Sequence, residues 1–157
     1  MNVRKYLSGE EECIWNIFYN TIHNINTQDY SIEQVEAWAP LNLDESVWAN
    51  KIIEINPYVV VIDSKIVAYA DLQESGYIDH FYCHHEYQRQ GIGSFLYSYI
   101  EQIAKSKNIS MLNSNISITA KPFFESRGFI VTKKQFLNRR GHKLTNFKMT
   151  KELICMK

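Results

Sequence analysis

The stretch Tyr77 to Lys107, YIDHFYCHHEYQRQGIGSFLYSYIEQIAKSK, constrains this chain more than any other. It reads as a strand over Tyr77–His84, a tight loop carrying Gln88-Arg89-Gln90-Gly91-Ile92-Gly93, and a long amphipathic helix. Ile92, Phe95, Leu96, Tyr99, Ile100 and Ile103 fall on one apolar face of a 3.6-residue period. The two glycines sit where strand gives way to helix. Without a Cβ they permit a sharp turn and let a ligand lie against the backbone. The first helical amides have no intrahelical acceptor and lie at the positive end of the helix dipole, so this loop is suited to an anion, most simply a phosphate.

The spacing narrows the choice of phosphate. A nucleotide P-loop needs G-x-x-x-x-G-K-[ST], and no Lys follows Gly93. A dinucleotide fingerprint needs a third glycine where Leu96 stands. What remains, Q-x-x-G-x-G after a strand, resembles the pyrophosphate-binding loop of the GNAT family of acyl-CoA-dependent N-acyltransferases. A second stretch, Ser117-Ile118-Thr119-Ala120-Lys121-Pro122-Phe123-Phe124-Glu125-Ser126-Arg127-Gly128-Phe129, reads as a short helix closed by Gly128 and followed by a strand. Its pattern is similar to that family's other signature, the helix that starts beside the pantetheine arm and thiol of the coenzyme.

The remaining elements fit the same architecture. Asn2–Tyr6 reads as a strand, and Ser8-Gly9-Glu10-Glu11 as a capping box opening a helix with Ile14, Ile17, Phe18 and Ile22 inward. Ser31-Ile32-Glu33-Gln34 opens a second helix that stops before Pro40, and Asp44–Ile53 adds a turn or two. Tyr58–Ile62 and Lys65–Gln73 form a hairpin through Asp63-Ser64, followed by the central strand Tyr77–His84. Met111–Asn115 is then parallel to that strand, because a helix crosses over between them. Thr119–Ser126 makes the short helix, and Phe129–Leu137 with Leu144–Leu153 a closing hairpin around Asn138–His142. The expected fold class is α/β: one domain over residues 1–157, with a twisted mixed sheet and helices on both faces.

Composition bounds the partners. The 157 residues are 45% hydrophobic and 22% charged with zero net charge, ordinary for a soluble globular chain. No apolar run approaches membrane-spanning length, and Met1–Lys5 leads directly into a strand, so a cytoplasmic location is expected, without membrane association. Cys13, Cys83 and Cys155 are odd in number and widely spaced, which fits reduced thiols. Tyr6 to Asn50 holds eight acids and no Lys or Arg, while Lys105 onward holds twelve basic residues and two acids. One reading of that asymmetry is a solvated helix face on one side and ordinary strand charges on the other; its functional reading is an acidic first third drawing in a cationic amine, with the basic side favouring the coenzyme's phosphates. Nucleic acid is not expected, since the basic residues are not interleaved with stacking aromatics.

The resemblance implies acetyl-CoA as cosubstrate and direct transfer of its acetyl group to a primary amine. It places Phe81, Tyr82 and Cys83 along the pantetheine, and Gln88, Arg89, Gln90, Gly91, Ile92, Gly93 and Ser94 around the pyrophosphate. Ser117 and Phe124 flank the thiol. The helical first third, with Tyr30 and Trp38, shapes the acceptor pocket. An amine must lose a proton to attack a thioester, the oxyanion needs a donor such as the Cys83 amide, and the departing thiolate needs a proton. Asp79 is the expected base, sharing a strand face with Tyr77, Phe81 and Cys83. Many relatives carry Tyr where Phe124 stands, and a phenyl ring donates no proton, so the acid is expected to be Tyr82, Tyr97 or water. A metal is not expected, because alternation sends His80 and Cys83 to opposite faces and no second ligand pair is present. Cys83 is a poor nucleophile candidate, having no base beside it. A small cationic amine is the expected acceptor. A protein N-terminus or lysine is the alternative within the family, and a non-catalytic acyl-CoA-binding module the alternative outside enzymes. The closing hairpin offers an edge for a homodimer.

Overall fold

The computed structural model describes residues 1–154; Cys155 lies outside them. Strand β1 (Asn2–Lys5) leads into helix α1 (Glu11–Asn24). The expected capping box at Ser8 does not form. Glu10 folds back instead, accepting from the Leu7 amide at 2.7 Å and gripping Arg4 with both oxygens at 2.9 and 2.8 Å. Helix α2 (Ile32–Trp38) does open on the box read from sequence: Ser31 Oγ accepts from the Gln34 amide, and Gln34 Oε1 from the Ser31 amide. Helix α3 (Glu45–Ile55) is longer than its sequence signal. Asp44 caps its start by accepting from Ser46, and Asn56 closes it in the left-handed conformation at φ 44°.

Strands β2 (Tyr58–Ile62) and β3 (Lys65–Ala70) form the expected hairpin, Asp63 and Ser64 both turning at positive φ. The central strand departs from its reading. It is two short strands, β4 (Tyr77–Ile78) and β5 (Phe81–Cys83), and they belong to different sheets. β5 pairs antiparallel with β3 in the sheet β1-β2-β3-β5. β4 pairs parallel with β6 (Met111–Ser117) in the sheet β4-β6-β8-β7, where β7 (Ile130–Arg139) and β8 (His142–Glu152) make the closing hairpin. Helix α4 (Ile92–Ser106) makes the crossover, and α5 (Lys121–Ser126) follows β6 with Pro122 in its first turn.

Asp71 causes the break. Its Oδ1 accepts from the Asp79 amide at 2.9 Å and the His80 amide at 2.7 Å, while Oδ2 accepts from Gln73 Nε2 at 2.6 Å. A carboxylate at the end of β3 thus takes the hydrogen bonds a neighbouring strand would otherwise take, and β3 itself ends at Ala70 instead of running to Gln73. Burial pushes the Asp71 carboxyl up to about 6, with the His80 amide and Gln73 opposing the shift.

The two sheets diverge from that point with a core on either side. One core packs α4 and α5 through Ile92, Leu96, Ile100 and Phe124, with Phe129 just after α5, against Val60, Ala68 and Leu112. The other packs α1, α2 and α3 through Ile14, Phe18, Val35, Trp48 and Ile52 against Val59 and Tyr69. Helices therefore cover both faces, as the apolar periodicities require.

Candidate active site

The wedge between β5 and β6 opens into two adjoining cavities of about 350 and 360 Å³. The first is built largely by backbone. Along β5, His84 N–H donates to Val67 O, Tyr82 pairs with Tyr69, and His80 O accepts from the Asp71 amide just past the end of β3, so the backbone groups of this alternate set point toward β3. Phe81 and Cys83 face the other way, into the wedge. The Cys83 carbonyl is taken by Thr21 Oγ1 and Gln88 Nε2, both at 2.8 Å, which leaves the Cys83 amide and both Phe81 groups toward the cleft. The sequence reading gave this role to Tyr82 as well, but the Tyr82 backbone belongs to the ladder with Tyr69.

Beyond β5 the chain turns through Gln88, whose side chain ties the loop to the strand end, and enters α4 at Gly91. Gly91 has φ 79°, and no atom lies within 4 Å of where a Cβ would stand. Among the described residues no side chain caps α4, so its first amides remain available to an anion. Gln88, Arg89, Gly91, Gly93 and Ser94 line this cleft. Gln90 is exposed outside it, and the Ile92 side chain is buried in the core, leaving only its amide at the helix start. Ser94 Oγ accepts from Arg127 at the end of α5. Across the cleft, Ser117 Oγ accepts from the Ala120 amide at 3.0 Å, and Thr119 Oγ1 is buried without a partner among the described residues.

The second cavity is built by side chains from α1, α2, α3, the β4–β5 break, β6 and the closing hairpin. Phe18, Trp38, Trp48 and Tyr77 form aromatic walls, with Lys51, Asp79, Arg139 and Arg140 among them. Tyr30 also lines it, but its hydroxyl is committed, donating to Thr145 O at 2.5 Å and accepting from the Ile118 amide at 2.9 Å. Because the strand breaks at residues 79–80, Asp79 and His80 both enter this cavity, and the expected alternation of Tyr77, Asp79, Phe81 and Cys83 on one face is lost. None of the eight acids between Tyr6 and Asn50 lines either cavity; Glu10 and Asp44 are spent on Arg4 and on the start of α3. The premise for a cationic acceptor is therefore not met.

Five residues line both cavities: Trp38, Asp79, Tyr82, Asn115 and Ser117. Asp79 is paired with Lys51 at 2.5 Å. Burial alone would pull the Lys51 ammonium down, but the hydrogen bond and charge of Asp79 raise it instead. Burial, with the Asp79 charge next, pushes the Tyr82 phenol well above its ordinary range, so it stays protonated at any working pH. His80 is hydrogen-bonded through Nδ1 to the Tyr69 hydroxyl at 2.9 Å and stacked on Phe18. Burial brings it down to about 4, which leaves it neutral near pH 7. The Cys83 thiol is pushed up to about 11 by burial, in keeping with its exclusion as a nucleophile. Phe124 is buried edge-on among Phe81, Phe123 and Phe129. Tyr97, one of the acids considered from sequence, lies in the same core and donates to Glu101 at 3.0 Å, away from both cavities. Among the described residues no group of three His, Cys, Asp or Glu side chains is arranged to hold a metal ion, and no helix is long and apolar enough to cross a membrane.

Sequence reasoning missed Asp71, Lys51, Arg139, Arg140 and Asn146. Asp71 left a signal, a lone acid ending the apolar run Ile66–Ala70. The others are surface-type residues on separate elements, and nothing local marks them.

The sequence model of the Acetyltransferase (GNAT) domain matches residues 26–153. The uncharacterized N-acetyltransferase YafP of Escherichia coli (strain K12) is 36% identical over 149 residues, covering 95% of this chain and 94% of that one. The crystal structure of a GCN5-related N-acetyltransferase from Rhodopseudomonas palustris superposes with a TM-score of 0.92 at 29% identity, over 97% of this chain and 95% of that one. PaiA N-acetyltransferase from Thermoplasma acidophilum, solved in complex with coenzyme A, shares the fold at a TM-score of 0.77 and 18% identity, over 97% and 98%. The chain therefore belongs to the GNAT family of acetyltransferases. Its class of reaction is acetyl-CoA-dependent N-acetyl transfer.

Proposed function

We propose that the chain acetylates the primary amine of a small-molecule acceptor, by direct transfer at the junction of the two cavities. The observation that carries this reading is that Asp79, Tyr82, Asn115 and Ser117 belong to both cavities at once. A donor in the cleft and an acceptor in the aromatic cavity then meet without a covalent enzyme intermediate.

The cleft fits an acyl-CoA. The uncapped start of α4, with Gly91 leaving the backbone bare, suits the pyrophosphate. The free Phe81 N–H and C=O suit the amides of a pantetheine arm, which extends the sheet as an added strand would. Acetyl-CoA supplies the activated acetyl thioester, and this chain's residues supply the rest. Asp79 accepts a proton from the attacking nitrogen, directly or through water. The Cys83 amide faces the cleft and is the candidate donor to the developing oxyanion. Tyr82, held protonated, donates a hydrogen bond where the thiolate leaves, the role a phenyl ring at Phe124 cannot fill. Lys51 fixes the position of the Asp79 carboxylate through their ion pair.

The test is thiol release from acetyl-CoA across a panel of small primary amines, run beside coenzyme A titration and a set of peptides. Coenzyme binding with turnover on small amines supports the reading. Turnover confined to peptide N-termini or lysines, or coenzyme bound without turnover on anything, overturns it.

A further inference from the structure

The ionisable groups of the acceptor cavity do not balance. Lys51 and Asp79 offset each other, and His80 is neutral. Arg139 and Arg140 remain, adjacent at the end of β7, and neither forms an ion pair with an acid among the described residues. A purely cationic amine entering here meets two uncompensated guanidinium groups and a single carboxylate that already has a partner. An acceptor with an anionic group meets the residues best shaped to hold one, because guanidinium matches a carboxylate with two parallel hydrogen bonds.

The closing turn aims one of these charges at the cavity. Arg140 and Gly141 form a two-residue connection with φ of 48° and 83°, the type I′ geometry in which Asn-Gly is favoured and a long side chain is unusual. Asn138 Oδ1 braces it by accepting from the Gly141 amide at 3.1 Å. From there Arg140 reaches back to α2 and donates to Ala37 O at 2.6 Å, so the guanidinium is fixed at the cavity wall. Arg139 is exposed and close enough to His80 and Tyr82 for its charge to bear on both. A third polar feature completes the set. Asn146 Oδ1 lines the same cavity, buried and without a hydrogen-bond partner among the described residues, an acceptor waiting for a donor such as an amine N–H.

We infer that the acceptor is an amine of the amino-acid class, its carboxylate held by Arg139 and Arg140, its nitrogen turned toward Asp79 and Asn146, and its apolar body against Phe18 and Trp48. This rests on the proposed function, which puts the acceptor amine in this cavity. It replaces the cationic acceptor expected from the acidic first third with one whose negative charge is recognised as strictly as its nitrogen.

Matched pairs of reaction products test it by direct binding in the presence of saturating coenzyme A. N-acetylphenylalanine is compared with N-acetylphenethylamine, and N-acetylleucine with its decarboxylated counterpart. The expected result is at least one pair in which the carboxylate member binds about ten- to a hundredfold more tightly, the range for a charge-assisted hydrogen bond. That ratio falls toward one in Arg139→Gln/Arg140→Asn, with the single variant Arg139→Gln intermediate. Arg140→Asn installs the residue the turn prefers, so the hairpin keeps its fold, and Arg139 is exposed, so neither change opens a core. Equal binding within every pair, no binding of any member, or a ratio that survives in the double variant overturns the inference. Coenzyme binding on the same samples separates the two levels: if the wild type binds coenzyme but shows no preference, only this inference falls, and if it fails to bind coenzyme, the proposed function falls with it.

Discussion

The two cavities are recognised by different chemistry, and that decides how they could be found. The cleft proposed for the coenzyme is made of backbone: the Phe81 groups and Cys83 amide left over where two sheets part, and the amides at the start of α4. The cavity proposed for the acceptor is made of side chains, brought in by α1, α2, α3, β6 and the closing hairpin. Backbone recognition needs a local conformation, and a local conformation leaves a local sequence signature such as Gly91 and Gly93 after a strand. Side-chain recognition needs only convergence in space, and convergence leaves none. The two regions meet at Asp79 and Tyr82, which the wedge owes to the buried carboxylate of Asp71.

Asp79→Asn is the largest way to split the two regions. An amide cannot take the amine's proton, so kcat/KM falls by about a hundredfold or more while the coenzyme dissociation constant stays unchanged. Steady-state kinetics beside a coenzyme titration check both halves, and an equal loss in both would mean the regions are not separable at this residue.

Asp71→Asn probes the wedge that both regions share. The Asp71 carboxyl is raised to about 6 in the folded protein from an ordinary 3.8. The folded state therefore holds its proton more tightly than the unfolded one. The stability this group contributes is full below about pH 4 and is lost as pH rises through 6. Across pH 4.5 to 7.5 that amounts to about 2 kcal/mol, present in the wild type and absent from the variant. Urea melts of both proteins at the two pH values test it, with the difference between proteins as the readout, because the buried neutral His80 slopes the other way in each.

Gly91→Val has the smallest effect of the three and acts on the cleft alone. A β-branched residue at φ 79° is strained by about 1 to 3 kcal/mol even though the space for it is open. Coenzyme affinity falls by about tenfold or somewhat more, while the kcat measured at saturating coenzyme stays near wild type. A matching loss of kcat would show that the loop also positions the reacting groups.

The secondary-structure readings failed where a side chain from elsewhere intervened. The Ser8 capping box looked sound, but Glu10, held by Arg4, stands at the N-cap of a helix that begins only at Glu11, and Glu11, the glutamate the box needs, accepts from the Gly9 amide instead. The strand Tyr77–His84 has unbroken strand-like composition, yet Asp71, six residues before its start, captures two of its amides and divides it between sheets. Alternation then failed as a guide to which residues share a face. Asp79 and Tyr82 nevertheless meet at the junction of the two cavities, because the break turns both toward the wedge.

The sequence by itself determined the succession of helices and strands, the phosphate-ready start of α4, the short helix before Gly128, and through these the family. All of them depend on periodicity, caps and glycine conformations that act within a few residues. Only the tertiary structure decided where the sheets part, that the acids of the first third turn away from the cavity, and that Lys51, Arg139, Arg140 and Asn146 enter it. Those outcomes depend on charges and hydrogen bonds between residues far apart in the chain, and such partners become neighbours only after folding.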